Sequence, residues 1–346
     1  MTVTREAPRA RTVSTSSLVA TPAVVAHRGA SGHRPEHTLG AYRTAIRMDV
    51  DDIEVDLVAT RDGVLVARHD LDLGATTDVA DHPRLAHLRR TRSIDGVDQR
   101  AWFVQDLTLA EVTTLAARER MPATRPASAA YDGTEGVPSL TEVLAMAGAE
   151  SARRGRPVGL MLELKHAAHH DAAGLPLEVP LLRGLARHGL DDPWARVTLM
   201  SFESPVLRRL TRLTRLPLVQ LLAPGHLPPP EELDKIDEYA DGVGAHTSLV
   251  LPRDGGGAIG APSTLVRDAH RRGLTVHAWT VRAENRFLPT NLRRGHARDA
   301  PGDMAAEVRA LLAAGVDGVI TDHPQEALAV VREVQGNASH RRTLAP

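Results

Sequence analysis

Apolar residues fall along this chain in two alternating rhythms. Short β-branched runs read as buried strands: AVVAHRG (23–29), DDIEVDLV (51–58), PVGLMLELK (157–165), RVTLMSF (196–202), LPLVQLL (216–222), DGVGAH (241–246), LTVHAWTV (274–281) and VDGVITD (316–322). Between them lie stretches with helical spacing, such as TLGAYRTAIRM, SLTEVLAMAGA, SPVLRRLTRL, STLVRDAHRRG and DMAAEVRALLAAG. Several open on Ser or Thr and close on Gly, and DHPQEALAVVREV adds a final helix. Strand-then-helix units repeated eight times predict an α/β fold of the closed (β/α)8 TIM-barrel type rather than an open doubly wound sheet. The barrel domain is expected over residues 22–332. A further strand in GVLVARHD would form a hairpin after strand two, with 70–139 as an insertion capping one end as a small subdomain. Residues 1–20 and 336–346 are expected to be disordered.

The second strand breaks its own pattern. Ile53, Val55 and Leu57 alternate with Glu54 and Asp56, so two carboxylates share one face of an otherwise apolar strand. The third strand, LMLELK, repeats the anomaly with Glu163 and Lys165. Barrel sites form at the C-terminal strand ends. Those positions hold His27, Arg28, Glu54, Asp56, Glu163, Lys165, Ser201, Phe202, His246, Trp279 and Asp322, with His69 expected at the tip of the extra hairpin. Three carboxylates at one mouth repel each other without a cation. An all-oxygen set favours a hard divalent ion, Ca2+, Mg2+ or Mn2+. Such a site suits phosphodiester cleavage, which needs positive charge on the non-bridging oxygens and groups that move protons.

Composition narrows the alternatives. The chain has 346 residues and a net charge of -1, which offers no electrostatic case for nucleic acid or an anionic membrane. It has no cysteine, which excludes disulfides and thiolate metal sites, and no apolar run long enough for a membrane span. Lys165 and Lys235 are its only lysines. No signal peptide is read in the first 20 residues, so a cytoplasmic location is expected, with secretion as the alternative.

VVAHRGASGHRPEHTLGAY followed by DDIEVDLVATRDGVLVARHD resembles the glycerophosphodiester phosphodiesterase signature. The likeness continues through VPSLTEVL, LELK, SFESPVL, VHAWTV and DGVITDHPQEAL. TDVADHP and the long stretch after AWTV are similar to the longer, often exported bacterial form. The resemblance implies His27 and His69 as general acid and base, and Glu54, Asp56 and Glu163 as ligands of a divalent ion, Ca2+ or Mg2+. It further implies Arg28 and Lys165 as phosphate contacts and Phe202 and Trp279 as walls of the glycerol and phosphate pocket. Glu36 and His37 fall near the site without an assigned role. The implied reaction converts a small-molecule glycerophosphodiester, such as glycerophosphocholine, to glycerol 3-phosphate and an alcohol. Two rivals keep the fold: a phospholipase-D-like barrel acting on lysophospholipids, and a non-catalytic barrel that binds glycerophosphodiesters.

Other signals carry less. HAAHH (166–170) reads as a polar loop, DGGGAIG (254–260) as a flexible turn without the Lys-Ser/Thr of a P-loop, and HPRLAHLRRTR as a solvated helix face. The stretch AENRFLPTNLRRGHARDAPGD after strand seven is expected to overhang the mouth and shape the leaving-group pocket.

Overall fold

The computed structural model describes residues 22–94 and 96–343, with side chains up to residue 336. The expected disordered segment 1–20 lies outside the described residues. The strands are β1 (Ala23–Ala26), β2 (Asp52–Ala59), β3 (Leu65–Ala67), β4 (Arg90–Ile94), β5 (Val97–Ala101), β6 (Gly159–Leu164), β7 (Val197–Ser201), β8 (Leu218–Leu222), β9 (Gly242–His246), β10 (Thr275–Val281) and β11 (Gly318–Thr321). Parallel pairing runs through β1, β2 and β6 to β11. The ring closes because β1 pairs with β2 on one side and β11 on the other. Eight parallel strands thus form a barrel inside a helical layer, the (β/α)8 fold.

Strand alternation sorts the side chains. Ile53, Val55 and Leu57 of β2 and Leu160, Leu162 and Leu164 of β6 pack outward under the helices. Facing the barrel axis, Val25, Met161, Met200, Val219, Leu221 and Ile320 form a separate apolar plug. Glu54, Asp56 and Glu163 alternate with the outward set, so they belong to the face that carries this plug. The pattern that looked anomalous in the sequence is an ordinary barrel pleat whose inner face changes from hydrocarbon to charge.

Strand β2 rises beyond the mouth and β3 folds back along it, with Leu57 opposite Ala67 and Ala59 opposite Leu65. The returning chain hydrogen-bonds Arg68 N–H to Asp56 O at 2.9 Å. His69 therefore follows the returning arm, level with the carboxylates. It does not sit at the hairpin tip, which is formed by residues 60–64.

The insertion that follows has its own buried cluster, including Leu71, Leu73, Val79, Phe103, Val104, Leu107, Val112 and Leu115, sealed against Val58 and Val66 of the hairpin. Within it, the Arg and His of HPRLAHLRRTR do lie on a solvated helical face: residues Pro83–Leu88 form a tight helical turn that buries Leu85 and Leu88 and leaves Arg84 and His87 exposed. That helix is shorter than the stretch, because β4 begins at Arg90. HAAHH is no loop: Ala167–Ala172 is a short helix with His170 fully buried. The closing helix, Pro324–Thr343, takes in much of the stretch 336–346 that the sequence suggested would be disordered. No helix among the described residues is long and apolar enough to cross a membrane.

Candidate active site

The chain leaves β1 through His27 into two consecutive left-handed residues, Arg28 at φ 58° and Gly29 at φ 83°. A side chain at Gly29 would put its Cβ 2.6 Å from the Ala41 carbonyl carbon, so only glycine fits here. The bend turns the Arg28 amide onto Glu54, whose Oε2 accepts it at 2.8 Å. The Arg28 side chain runs the other way, donating NH1 to Glu36 Oε1 at 3.1 Å with Nε 3.2 Å from Asp56 Oδ2.

Glu54, Asp56 and Glu163 are buried and each offers an oxygen within 4.8 Å of the others. Around them, Lys165 Nζ lies 2.9 Å from Glu163 Oε1 and 3.9 Å from Asp56 Oδ1. His37 Nε2 meets Asp56 Oδ2 at 2.9 Å while its Nδ1 meets the Tyr42 hydroxyl at 2.7 Å. The three acids titrate apart. Burial raises Asp56, but Lys165 and Arg28 outweigh it and hold this carboxyl well below its usual range. Burial, then the charges of Asp56 and Glu163, push Glu54 well above the usual carboxyl range. Burial also lifts Glu163 to about 8, against the pull of Lys165.

This set fits a hard cation. Glu54 Oε1 is buried with no hydrogen-bond partner, a costly state for a carboxyl oxygen. The 4.8 Å limit on the separation of the three oxygens is about twice a Ca–O distance of ~2.4 Å, the widest pair one ion can bridge. Lys165 and Arg28, the latter shared with Glu36, leave three buried carboxylates short of positive charge, and the raised Glu54 and Glu163 carboxyls reflect that deficit.

Both predicted histidines border the same cavity, of about 210 Å³, together with Arg28, Glu54, Glu163, Lys165, Phe202, His246, Trp279 and Arg282. His27 Nδ1 is 2.6 Å from Asp322 Oδ1, and His69 Nδ1 is 2.6 Å from Asp70 Oδ1. Burial and the nearby Arg28 guanidinium lower both imidazoles to about 4. Phe202 and Trp279 meet edge to face, 5.4 Å between centroids, and Lys165 Nζ stands 5.4 Å from the Phe202 ring centre. Trp279 also packs against His246 at 5.2 Å.

Several members of the site escaped the sequence reading. Arg120 clasps Glu36 (Nε–Oε2 2.8 Å) and Asp70 (NH1–Oδ2 2.7 Å). Arg125 joins Asp322 (2.6 Å) to Glu284 (2.6 Å) and donates to the Ser31 carbonyl at 3.0 Å. Arg282 Nε adds a second donor to Asp322 Oδ2 at 2.8 Å. Burial raises Asp322, but Arg282 and Arg125 keep it well below its usual range, so it stays ionised. Asp70 follows His69 directly and Arg282 follows AWTV, which were the available signals. Arg120 and Arg125 come from the insertion, where no periodicity marks them.

The chain is 31% identical over 291 residues to a glycerophosphodiester phosphodiesterase of Arabidopsis thaliana, covering 77% of this chain and 76% of that one. It is 30% identical over 310 residues to the glycerophosphodiester phosphodiesterase of Bacillus subtilis, covering 87% and 83%. Its fold matches that of an Oleispira antarctica phosphodiesterase solved in complex with the product sn-glycerol-3-phosphate. There the TM-score is 0.62 and the identity 22%, over 90% of this chain and 97% of that one. The sequence model of one family spans residues 27–326, from the first imidazole to the last helix, and the chain belongs to that family, the glycerophosphoryl diester phosphodiesterases.

Proposed function

We propose that this chain hydrolyses a glycerophosphodiester to glycerol 3-phosphate and an alcohol, using a divalent cation and two histidines. One observation carries the reading. Two imidazoles, each with an acid on its Nδ1, border one cavity with a guanidinium, an ammonium and clustered carboxylates. Membership of the family sets the class of substrate.

Glu54, Asp56 and Glu163 would hold the ion, Ca2+ or Mg2+. When bound, it supplies positive charge to a phosphate oxygen and acidifies an attacking hydroxyl. Arg28 and Lys165 hold the remaining phosphate oxygens, Arg28 through the terminal nitrogen that faces neither Glu36 nor Asp56. Phe202 and Trp279 wall the glycerol end. Asp322 and Asp70 accept the Nδ1 protons of His27 and His69, leaving each Nε2 free to take a proton from the nucleophile or return one to the leaving oxygen. Water and the neighbouring glycerol hydroxyl can both serve as nucleophile with the same groups.

The test is release of glycerol 3-phosphate from glycerophosphocholine by a coupled assay, with and without EDTA. Chelator-sensitive release supports the reading. Binding without turnover would replace it with a non-catalytic barrel, and turnover restricted to choline lysophospholipids with the lipid-type reaction.

A further inference from the structure

We propose that a second chamber, on the other side of His27, takes the leaving alcohol and selects alcohols carrying a further anionic group over cationic ones. This rests on the reading above and specifies its substrate.

The chamber, about 170 Å³, is lined by His27, Arg28, Arg120, Arg125, Arg282 and Phe287, among others. It shares His27, Arg28 and Arg282 with the first cavity. A diester with its phosphorus at that common wall extends one arm towards Phe202 and Trp279 and the other into the chamber. The insertion supplies Arg120 and Arg125; the segment after β10 supplies Arg282 and Phe287. The two segments are tied together by Arg125–Glu284 at 2.6 Å and by Arg286 NH1 to Thr124 Oγ1 at 3.0 Å.

Charge is layered in the wall. The carboxylates of Asp322 and Glu36 are 3% and 9% exposed, whereas the Arg120 and Arg282 side chains are 29% and 25% exposed. Glu36 and Asp322 also reach the lining, but they are its more buried members, and the Arg120 and Arg282 side chains are the more open ones. Arg282 donates Nε to Asp322 and finds no hydrogen-bond partner for its terminal nitrogens among the described residues. Those donors match a phosphate or carboxylate. A trimethylammonium group needs open aromatic faces. The one ring here, Phe287, already has the guanidiniums of Arg282 at 4.7 Å and Arg286 at 6.0 Å from its centre.

The test compares kcat/KM of the full chain, loaded with the divalent ion, on glycerophosphoinositol, glycerophosphoinositol 4-phosphate and glycerophosphocholine. The phosphorylated alcohol is expected to exceed its neutral parent by about tenfold, the scale of one partly solvated charge contact, and to lose that lead in high salt. Arg120→Gln and Arg282→Gln should each bring the ratio towards one. The ratio is taken within one variant, so a general loss of turnover cancels. Good turnover with a wild-type ratio of one or less, or a ratio untouched by both substitutions, overturns this proposal alone. No turnover on all three diesters overturns the parent reading and this one with it.

Discussion

His27 Nδ1 lies 2.6 Å from Asp322 Oδ1, although 295 residues separate them in the chain. Asp322 is kept ionised by Arg282 and Arg125, so it only accepts, and the imidazole must carry its proton on Nδ1. Nε2 is thereby left bare towards the cavity. Asp322→Asn offers an amide in place of that fixed acceptor and frees the ring to adopt the other tautomer. We expect kcat to fall about 10²-fold, within the range of acid–base contributions, with KM changed little. Steady-state kinetics checks this, and a calorimetric titration should find ion affinity intact.

His27→Ala and His69→Ala remove the groups proposed to move the protons. Each should lower kcat by ~10²–10⁴ while the divalent ion still binds. Single-turnover assays paired with calorimetry separate the two effects. Loss of ion binding in either variant would move that histidine out of the proton-transfer role.

Glu54→Gln, Asp56→Asn and Glu163→Gln should abolish ion binding and turnover together. Differential scanning fluorimetry gives a check independent of activity. Added Ca2+ or Mg2+ should raise the melting temperature of the wild type by mass action and leave the variants unmoved.

Glu307 provides a pH test away from the reaction. It is 4% exposed on helix Met304–Ala313, 3.9 Å from Arg253. Burial raises its carboxyl from 4.5 to about 7, with Arg253 and Arg282 opposing. The folded state therefore holds this proton more tightly than the unfolded chain. The stability so gained is complete below about pH 4.5 and is lost as pH rises through about 7. Glu307→Gln cannot lose it. Relative to the wild type, the variant should gain roughly 2–3 kcal/mol between pH 5 and 8, because each tenfold difference in proton affinity is worth about 1.4 kcal/mol. Denaturant melts at the two pH values measure the change, and a constant difference would contradict it.

Phe103 is fully buried in the separate cluster of the insertion. Phe103→Ala should cost about 3–5 kcal/mol there. Hydrogen exchange should rise across 70–139 while the barrel strands stay protected. Uniform loss of protection would mean that barrel and insertion unfold as one unit.

Much of this arrangement was legible in the sequence. Glu54, Asp56 and Glu163 stood out because charge on a doubly buried strand needs a reason; the strand period placed Glu54 and Asp56 on one face, and the barrel's strand-end positions brought Glu163 to the same mouth. His27 was legible beside Arg28 and Gly29, whose left-handed bend the sequence marks with a glycine. The return of His69 to the level of the carboxylates was not, because it depends on the β2–β3 register and not on the hairpin's existence. The helix at HAAHH and the strand start inside HPRLAHLRRTR were hidden for a related reason. Short elements whose partners lie elsewhere in the fold have too few residues to show a period. Arg120 and Arg125 were hidden altogether, since in a chain whose basic residues are nearly all arginine no single one announces a buried ion pair.

The closure of β1 on β11 also fixes when, during synthesis, the molecule can begin to work. A nascent chain stalled just short of residue 318 would already carry both imidazoles and every acid of the candidate ion site. It would still lack the carboxylate that orients the first ring, and the strand that seals the cylinder. Competence on the ribosome therefore arrives late and all at once, and truncated translation products should be inert rather than half-active.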